Sequence, residues 1–286
     1  MMKMKYFIYI FIVCYFYNAY AVDTIRIQAS QSKFDASHSY YVGLIKLAYQ
    51  KNDKAVNLVF APYMPQKRAL QELKAERMLD IYWAGIDVAR ASQLSVVNIP
   101  LIKGLLGFRV FITHQDNLRK LEQVTTLSDL KKLSLCQGSH WPDTNIMLAA
   151  GLTVLPNPIY ENMFNQTYIK RCDAFPRGIN EAMSEYQARK IVMPELALYQ
   201  DLILYYPFPM YFFTSTKNAK LAKFLKTGLE KAIDDGSFEE YIKSHPTTEH
   251  LFPLENWNNA RFLKLENPFL PSDFDTNNPR YWISIN

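Results

Sequence analysis

Five consecutive residues, Gln137-Gly138-Ser139-His140-Trp141, stand where an apolar run gives way to a helix-period segment. A helix entered through a glycine turn presents backbone N–H groups and the positive end of its dipole, so such a turn attracts an anion. A tight turn with Ser139 as N-cap would explain Gly138 and Ser139, but not a tryptophan at the rim. Arg177 closes a second apolar run at 173–176 and by register reaches the same edge. Glu181 follows one helical turn on, and the bland reading is an Arg177–Glu181 helix pair worth about 0.2–0.5 kcal/mol. Arg109 lies between Phe108 and Val110 in an apolar strand, where a guanidinium must find a partner or a wet cleft. Trp83 and Tyr82 end a short strand, and Tyr40 and Tyr41 open the first long helix. Such aromatics either line a cleft or pack a core. Arg68 reads as a surface charge.

Other chemistries are missing from the pattern. His245 and His250 are five apart across Pro246, and no two histidines share a helix face at ligand spacing, so no metal site is expected. No P-loop, GxGxxG or GxSxG occurs, and no cofactor is expected. Ser139, His140 and Asp143 are neighbours in sequence, whereas a catalytic triad requires convergence in space.

The elements that must hold these side chains alternate along the chain. Strands are expected over 24–29, 56–61 and 81–84, with helices over 39–50 and 65–76 between them. The run LLGFRVFIT at 105–113 is a long strand. The pattern then restarts: a short helix at 128–131, strands at 133–137, 152–155 and 173–176, and helices at 141–150, 159–168 and 180–189, with Gly151 as a left-handed helix stop. Strands at 202–206 and 209–215 precede a helix at 219–234, a Gly236 stop, a short helix near 238–242 and a polar tail. Strand–helix–strand alternation implies α/β architecture with mostly parallel sheets flanked by helices. Two such units follow, the second inserted in the first: 22–111 with 213–286, and 112–212. Open parallel sheets bind ligands at the carboxyl ends of their strands, and two of them joined by two crossing segments make a hinged cleft.

The chain opens MMKMK, then an apolar run, then Ala19-Tyr20-Ala21, the form of a secretory signal peptide cleaved after Ala21. The apolar run falls short of the roughly 18 residues of a spanning helix, and Val13 before Cys14 does not suit a lipoprotein site. Removal of 1–21 takes Lys3 and Lys5 and no acid, leaving 265 residues with a charge of +3. Periplasmic export follows. With 49% apolar and 21% charged residues the composition is that of a globular protein, not of a disordered, collagenous or coiled-coil chain. The 32 basic residues are spread along the chain with no basic run, so no nucleic acid partner is expected. Cys136 and Cys172 remain after cleavage. If Gly138 and Gly178 mark equal heights, the two lie about four residues, roughly 13 Å, apart along parallel strands. Free, buried thiols are therefore expected.

Five segments in order resemble the periplasmic solute-binding proteins of family 3, the polar amino acid-binding type with the type 2 periplasmic-binding fold. They are ALQELKAERMLDIYWAGIDVAR, SVVNIPLIKGLLGFRVFI, LSDLKKLSLCQGSHWPDT, KRCDAFPRGINEA and AKLAKFLKTGLEKAIDDGSFEEYI, and the likeness covers about 23–245. The resemblance implies two lobes and a two-segment hinge. It implies a carboxylate held at the 138–139 turn, and it matches Arg90 by order to the arginine that grips a ligand carboxylate, a task suited to a planar two-donor fork. The loop from Asp80 to Arg90 is about two residues shorter than the family's. The family's ammonium-holding acid corresponds by count to Gly178, so Arg177 beside it favours an anionic ligand over a plain α-amino acid. The expectation is a monomeric, non-catalytic solute-binding protein for a small polar, anionic ligand, contacted by Arg177, Ser139, His140, Trp141, Arg90, Arg109, Trp83, Tyr40 and Glu181. Its client would be an ABC-type permease or a membrane sensor. A lyase or dehydratase on the same scaffold, using Glu181 or His140, and a module for cell-wall fragments are the alternatives. An Arg177→Ala change is expected to abolish ligand response and leave the apo melting point nearly unchanged.

Overall fold

The computed structural model describes residues 22–272, 274–283 and 285. The leader expected over 1–21, and its cleavage after Ala21, lie outside the described residues. The first unit opens with β1 (Asp23–Gln28), α1 (His38–Lys51) and β2 (Val56–Ala61), and the two strands pair in parallel across the helix. Tyr40, Tyr41, Leu44, Ile45, Ala48 and Tyr49 are the buried residues of α1, the stripe of a helix lying on a core. Next come α2 (Gln66–Lys74), β3 (Tyr82–Gly85), α3 (Val88–Gln93) and β4 (Ser95–Val97). The short helix α3 was not expected; Asp87 caps it by accepting the Arg90 N–H at 2.8 Å.

The second unit runs β5 (Phe108–His114), α4 (Leu118–Glu122), α5 (Leu127–Leu130), β6 (Ser134–Gly138), α6 (Pro142–Ala149), β7 (Thr153–Asn157), α7 (Tyr160–Tyr168), β8 (Ala174–Gly178), α8 (Ile179–Arg189) and β9 (Leu196–Tyr205). Thr126 and Asp129 form a reciprocal capping box that starts α5 one residue before the expected position. Gly151 follows α6 with φ +77°, the left-handed stop that its glycine suits. The chain returns through β10 (Met210–Thr214), α9 (Ala219–Asp234) and α10 (Ser237–Ser244), then adds β11 (Arg261–Lys264). At Gly228 a Cβ would stand 2.1 Å from the carbonyl oxygen of Ala48, so only glycine lets α9 lie this close on α1.

Three sheets result, ordered β1-β2, β3-β10-β4 and β11-β9-β5-β8-β6-β7. The sheets are more mixed than the alternation implied. β10 is antiparallel to β3 and β4, and β5 is antiparallel to β8 and β9. The expected lobe boundary at 111/112 falls inside β5, all seven of whose residues are buried in the six-stranded sheet. The segments 98–107 and 206–209 connect the sheets. The tail adds two more passes: β11 pairs in parallel with β9, and Phe269 then accepts the Val88 N–H in the first unit at 3.1 Å. A four-residue edge strand carries little local signal, and its pairing comes from β9, 59 residues away in register.

The cysteines correct the sequence expectation. Cys136 and Cys172 form a disulfide with Cα atoms 5.7 Å apart. The extrapolation assumed an extended chain from Gly178 back to Cys172. β8 begins only at Ala174, which pairs with Leu135, and residues 171–173 bend. Asp173 donates its N–H to Ser134 O at 2.8 Å, which folds the bend against β6 beside Cys136. Ile112, Tyr160, Phe164, Phe175 and Leu196 close around the bridge. Among the described residues no helix is long and apolar enough to cross a membrane, and no cluster of three metal-ligating side chains occurs.

Candidate functional site

The carboxyl ends of β1, β3, β6 and β8 converge on a cavity of about 70 Å³ between the two units. Gln28, Asp35, His38, Tyr41, Tyr82 and Trp83 line it from the first unit, and Arg109, Trp141, Asp143, Arg177 and Glu181 from the second. The first wall is aromatic: Tyr41 stacks on Trp83 with centroids 5.3 Å apart, and Tyr82 stacks on it at 6.2 Å.

The second wall is a chain of alternating charges, all buried. Asp143 pairs with Arg109 and accepts the Tyr206 hydroxyl at 2.6 Å. Arg109 Nη1 stands 3.9 Å from Glu181 Oε2, and Arg177 Nη2 stands 2.8 Å from the same oxygen. Arg177 also donates to both oxygens of Glu185, from Nε at 2.7 Å and from Nη2 at 2.6 Å. The Tyr160 hydroxyl donates to Glu185 at 2.5 Å. The ring of Trp141 lies 5.0 Å from the Arg177 guanidinium. A chain of three carboxylates and two guanidiniums leaves one acid in excess, and Glu181 is the member with the least support. Its Oε2 is buried without a hydrogen bond despite the nearby cations, as is the hydroxyl of Tyr41 on the opposite wall. An unsatisfied buried acceptor is costly unless something fills it.

The structure brings Arg109, Arg177, Glu181, Trp83 and Trp141 together around the cavity. Tyr41 and Tyr82, named beside Tyr40 and Trp83, line it too, whereas Arg90, Tyr40, Ser139 and His140 stand outside its lining. Arg90 spends its guanidinium on Gly85 O at 2.6 Å, Gln66 Oε1 at 2.6 Å and, across the units, His140 O at 2.9 Å. Tyr40 is core, its hydroxyl donating to Leu101 O at 2.8 Å. Ser139 and His140 border a smaller neighbouring recess with Asn157 and Tyr63. Three N–H groups of the turn around them are already used. Ser139 N–H goes to Asn157 O at 3.0 Å, Trp141 N–H to Gly138 O at 3.0 Å, and Gly138 N–H to Gln137 Oε1 at 3.0 Å. The N-cap of α6 is Trp141 rather than Ser139, with Pro142, which has no N–H, in the first turn. A Cβ at Gly138 would stand 2.3 Å from the Trp141 ring, so the glycine serves the seating of that tryptophan.

Glu185, Tyr206 and Asp35 escaped the sequence reading, and Asp143 entered it only as a triad member set aside. One signal was available: Arg177, Glu181, Glu185 and Arg189 recur every fourth residue, a single charged stripe on an otherwise uncharged segment. For Asp143 and Tyr206, 63 residues apart, no local signal exists.

Burial pushes the Glu181 carboxyl up to about 7; Arg177 opposes the rise and Glu185 adds to it. Because this folded-state value exceeds the ordinary 4.5, the folded chain holds a proton that the unfolded chain has released. Stability from this group is complete below pH 4.5 and is lost as pH climbs through 7. Glu181→Gln mimics the protonated form. It is expected to match the parent near pH 5 and to exceed it near pH 8 by up to about 3 kcal/mol, at about 1.4 kcal/mol per unit. Paired melting curves at the two pH values check this, and a gap that does not widen with pH refutes it.

No protein-family model matches the chain. No curated protein sequence matches it either. Solved structures do. An ancestral arginine-binding protein bound to arginine is 14% identical, with a TM-score of 0.59 over 78% of this chain and 98% of its own. An ancestral amino acid-binding protein described as a precursor of cyclohexadienyl dehydratase is 13% identical, with a TM-score of 0.57 over 78% of this chain and 95% of its own. A histidine kinase sensor domain with similarity to periplasmic binding proteins is 12% identical, with a TM-score of 0.58 over 79% of this chain and 96% of its own. At these identities the likeness is one of architecture, and the chain has the two-lobed α/β fold of the amino acid-binding periplasmic binding proteins.

Proposed function

We propose that this protein is an exported solute-binding protein that captures a small polar ligand between its lobes and presents the closed form to an ABC-type permease or a membrane sensor. The observation that carries the reading is the cavity itself, walled by both units, with buried unsatisfied polar atoms on both walls: the Tyr41 hydroxyl on one, Arg109 Nε and Glu181 Oε2 on the other. A ligand drives closure only through contacts that differ between open and closed states, and groups facing each other across the gap supply them. The Cys136–Cys172 bridge supports export, since such bonds persist in oxidising compartments. Within this reading Arg109, Arg177, Glu181, Trp83 and Trp141 frame the ligand. Arg90 and His140 latch the lobes, Ser139 shapes the turn, and Tyr40 braces α1 from behind. For the anionic ligand expected from the sequence the remaining support is Arg109 Nε, a buried donor without a hydrogen bond, since Arg177 and the N–H groups of Gly138, Ser139 and Trp141 already have partners.

The test is a thermal-shift screen of the mature chain against amino acids, amines, dicarboxylates and sugars. A ligand at 100 times its Kd adds about 2.7 kcal/mol to stability. Absence of any shift across the screen refutes the reading. A lyase is the second reading, favoured by one fact: a buried carboxyl near neutral pH lines the cleft, as a general acid requires. Turnover of a cyclic carboxylic acid, followed by NMR and lost in Glu181→Gln, would establish it.

A further inference from the structure

The charge count of the cleft says more about the ligand, and what it says rests on the solute-binding reading. Asp35, Asp143 and Glu181 face the cavity against Arg109 and Arg177. Asp143 is matched by Arg109, and Arg177 is bound at two points by Glu185, an acid behind the wall. Of the remaining acids, Asp35 accepts the Gln31 N–H and the Ser37 hydroxyl, and the one whose cation, Arg177 at 2.8 Å, is shared with Glu185 is Glu181. It is 6% exposed, and its Oε2 accepts no hydrogen bond. The hydroxyl of Tyr41, a residue 1% exposed, also lacks a partner and borders the same space from the other lobe. Beside it stands the Trp83 face on which Tyr41 and Tyr82 stack. A carboxylate, a hydroxyl and aromatic faces around one small volume recognise an organic cation, by ion pairing, hydrogen bonding and cation–π attraction together.

The other half of an amino acid meets one unfilled donor in the cavity lining, Arg109 Nε, on a guanidinium already paired with Asp143. The arginine expected to take a carboxylate, Arg90, is held by Gly85, Gln66 and His140 outside the cavity lining. The N–H groups of Gly138, Ser139 and Trp141 are all used internally, and Pro142 offers none. A ligand carboxylate would enter a wall whose acids already outnumber its guanidiniums, and burying it there is costly. We infer that the ligand is a small organic amine or guanidine without a carboxylate, its cation seated between Glu181 Oε2 and the Tyr41 hydroxyl.

Matched pairs that differ only in the carboxylate test this by calorimetry and thermal shift on the mature, oxidised chain: putrescine against ornithine, agmatine against arginine, tyramine against tyrosine. Glutamate, succinate and glucose complete the panel. The expected result is that at least one amine binds tenfold or more tighter than its carboxylate-bearing partner. Glu181→Gln then weakens it at least tenfold, and Tyr41→Phe, a milder change that leaves the ring packing intact, weakens it severalfold. If a carboxylate-bearing member, a dicarboxylate or the sugar binds as tightly as any amine, the amine assignment is overturned and solute binding stands. Amine binding that both variants keep unchanged overturns the assigned seat. If nothing in the panel binds, the amine assignment fails, and the wider screen decides whether solute binding fails with it.

Discussion

Replacing Arg177 by alanine lowers the melting point sharply at pH 7.5, by roughly 10 °C or more. The sequence reading expected almost no change in the apo protein, because it placed Arg177 at an open cleft edge. The structure buries it to 3% exposure, with Glu185 held at two points and Glu181 at 2.8 Å. Removing one partner of such a group strands the others, and losses of about 3–5 kcal/mol are usual. In a chain of this length each kcal/mol moves the melting point by about 2–4 °C. The pH dependence identifies the cause. Burial alone would raise the Glu185 carboxyl, but Arg177 more than offsets it and holds the group below the usual range. Its stabilising contribution is therefore present above the unfolded value and fades as pH falls. In the variant Glu181 and Glu185 are both uncompensated, so their folded-state values rise and stability drains as pH increases. Both trends make the deficit largest near pH 8 and smallest near pH 4.5. Substituting the pair together, Arg177→Met with Glu185→Leu, recovers much of the loss, since apolar replacements leave no stranded charge at this pair. An Arg177→Ala melting point within 2 °C or so of the parent at pH 7.5 would contradict the buried network.

Removing the bridge has an effect of similar size. Cys136→Ala with Cys172→Ala is expected to cost about 4 kcal/mol by the chain-entropy relation for a closed loop of this length, the cysteines being 36 residues apart. That corresponds to about 8–15 °C. The loop contains the end of β6 with α6, β7 and α7, so the bond holds the strand that leads to the Gly138 turn against the entry to the Arg177 strand. Protein refolded in air should present no titratable thiol in denaturant until a reductant is added, and its intact mass should lie two hydrogens below that of the reduced chain. Two reactive thiols in the refolded protein, or a double variant as stable as the parent, would rule the bridge out.

Most of the scaffold is legible in the residue order. The apolar periods of 24–29, 39–50, 56–61 and 219–234 fall within two residues of β1, α1, β2 and α9, because the pattern that makes a strand or a helix is carried by the neighbours of each residue. The elements that escaped are short and depend on distant partners. They are α3, capped by Asp87; the first six residues of β9, four of which pair with β5; and β11, which has no apolar run of its own. The candidate site divides in the same way. Arg109, Arg177 and Glu181 announce themselves as charges in apolar surroundings, and such charges must be answered by something. What answers them is Asp143, Glu185 and Tyr206, found only when α6, α8 and β9 are laid side by side.

Local period thus settles the strands, the helices and the two-lobed plan, since each is decided over a dozen residues. Contacts across the fold settle the charge left over for a ligand. A guanidinium in a sequence looks like a grip for anions. Whether it is one depends on which carboxylates lie within about 4 Å, and at that range the interaction with a buried partner outweighs any preference the residue has alone.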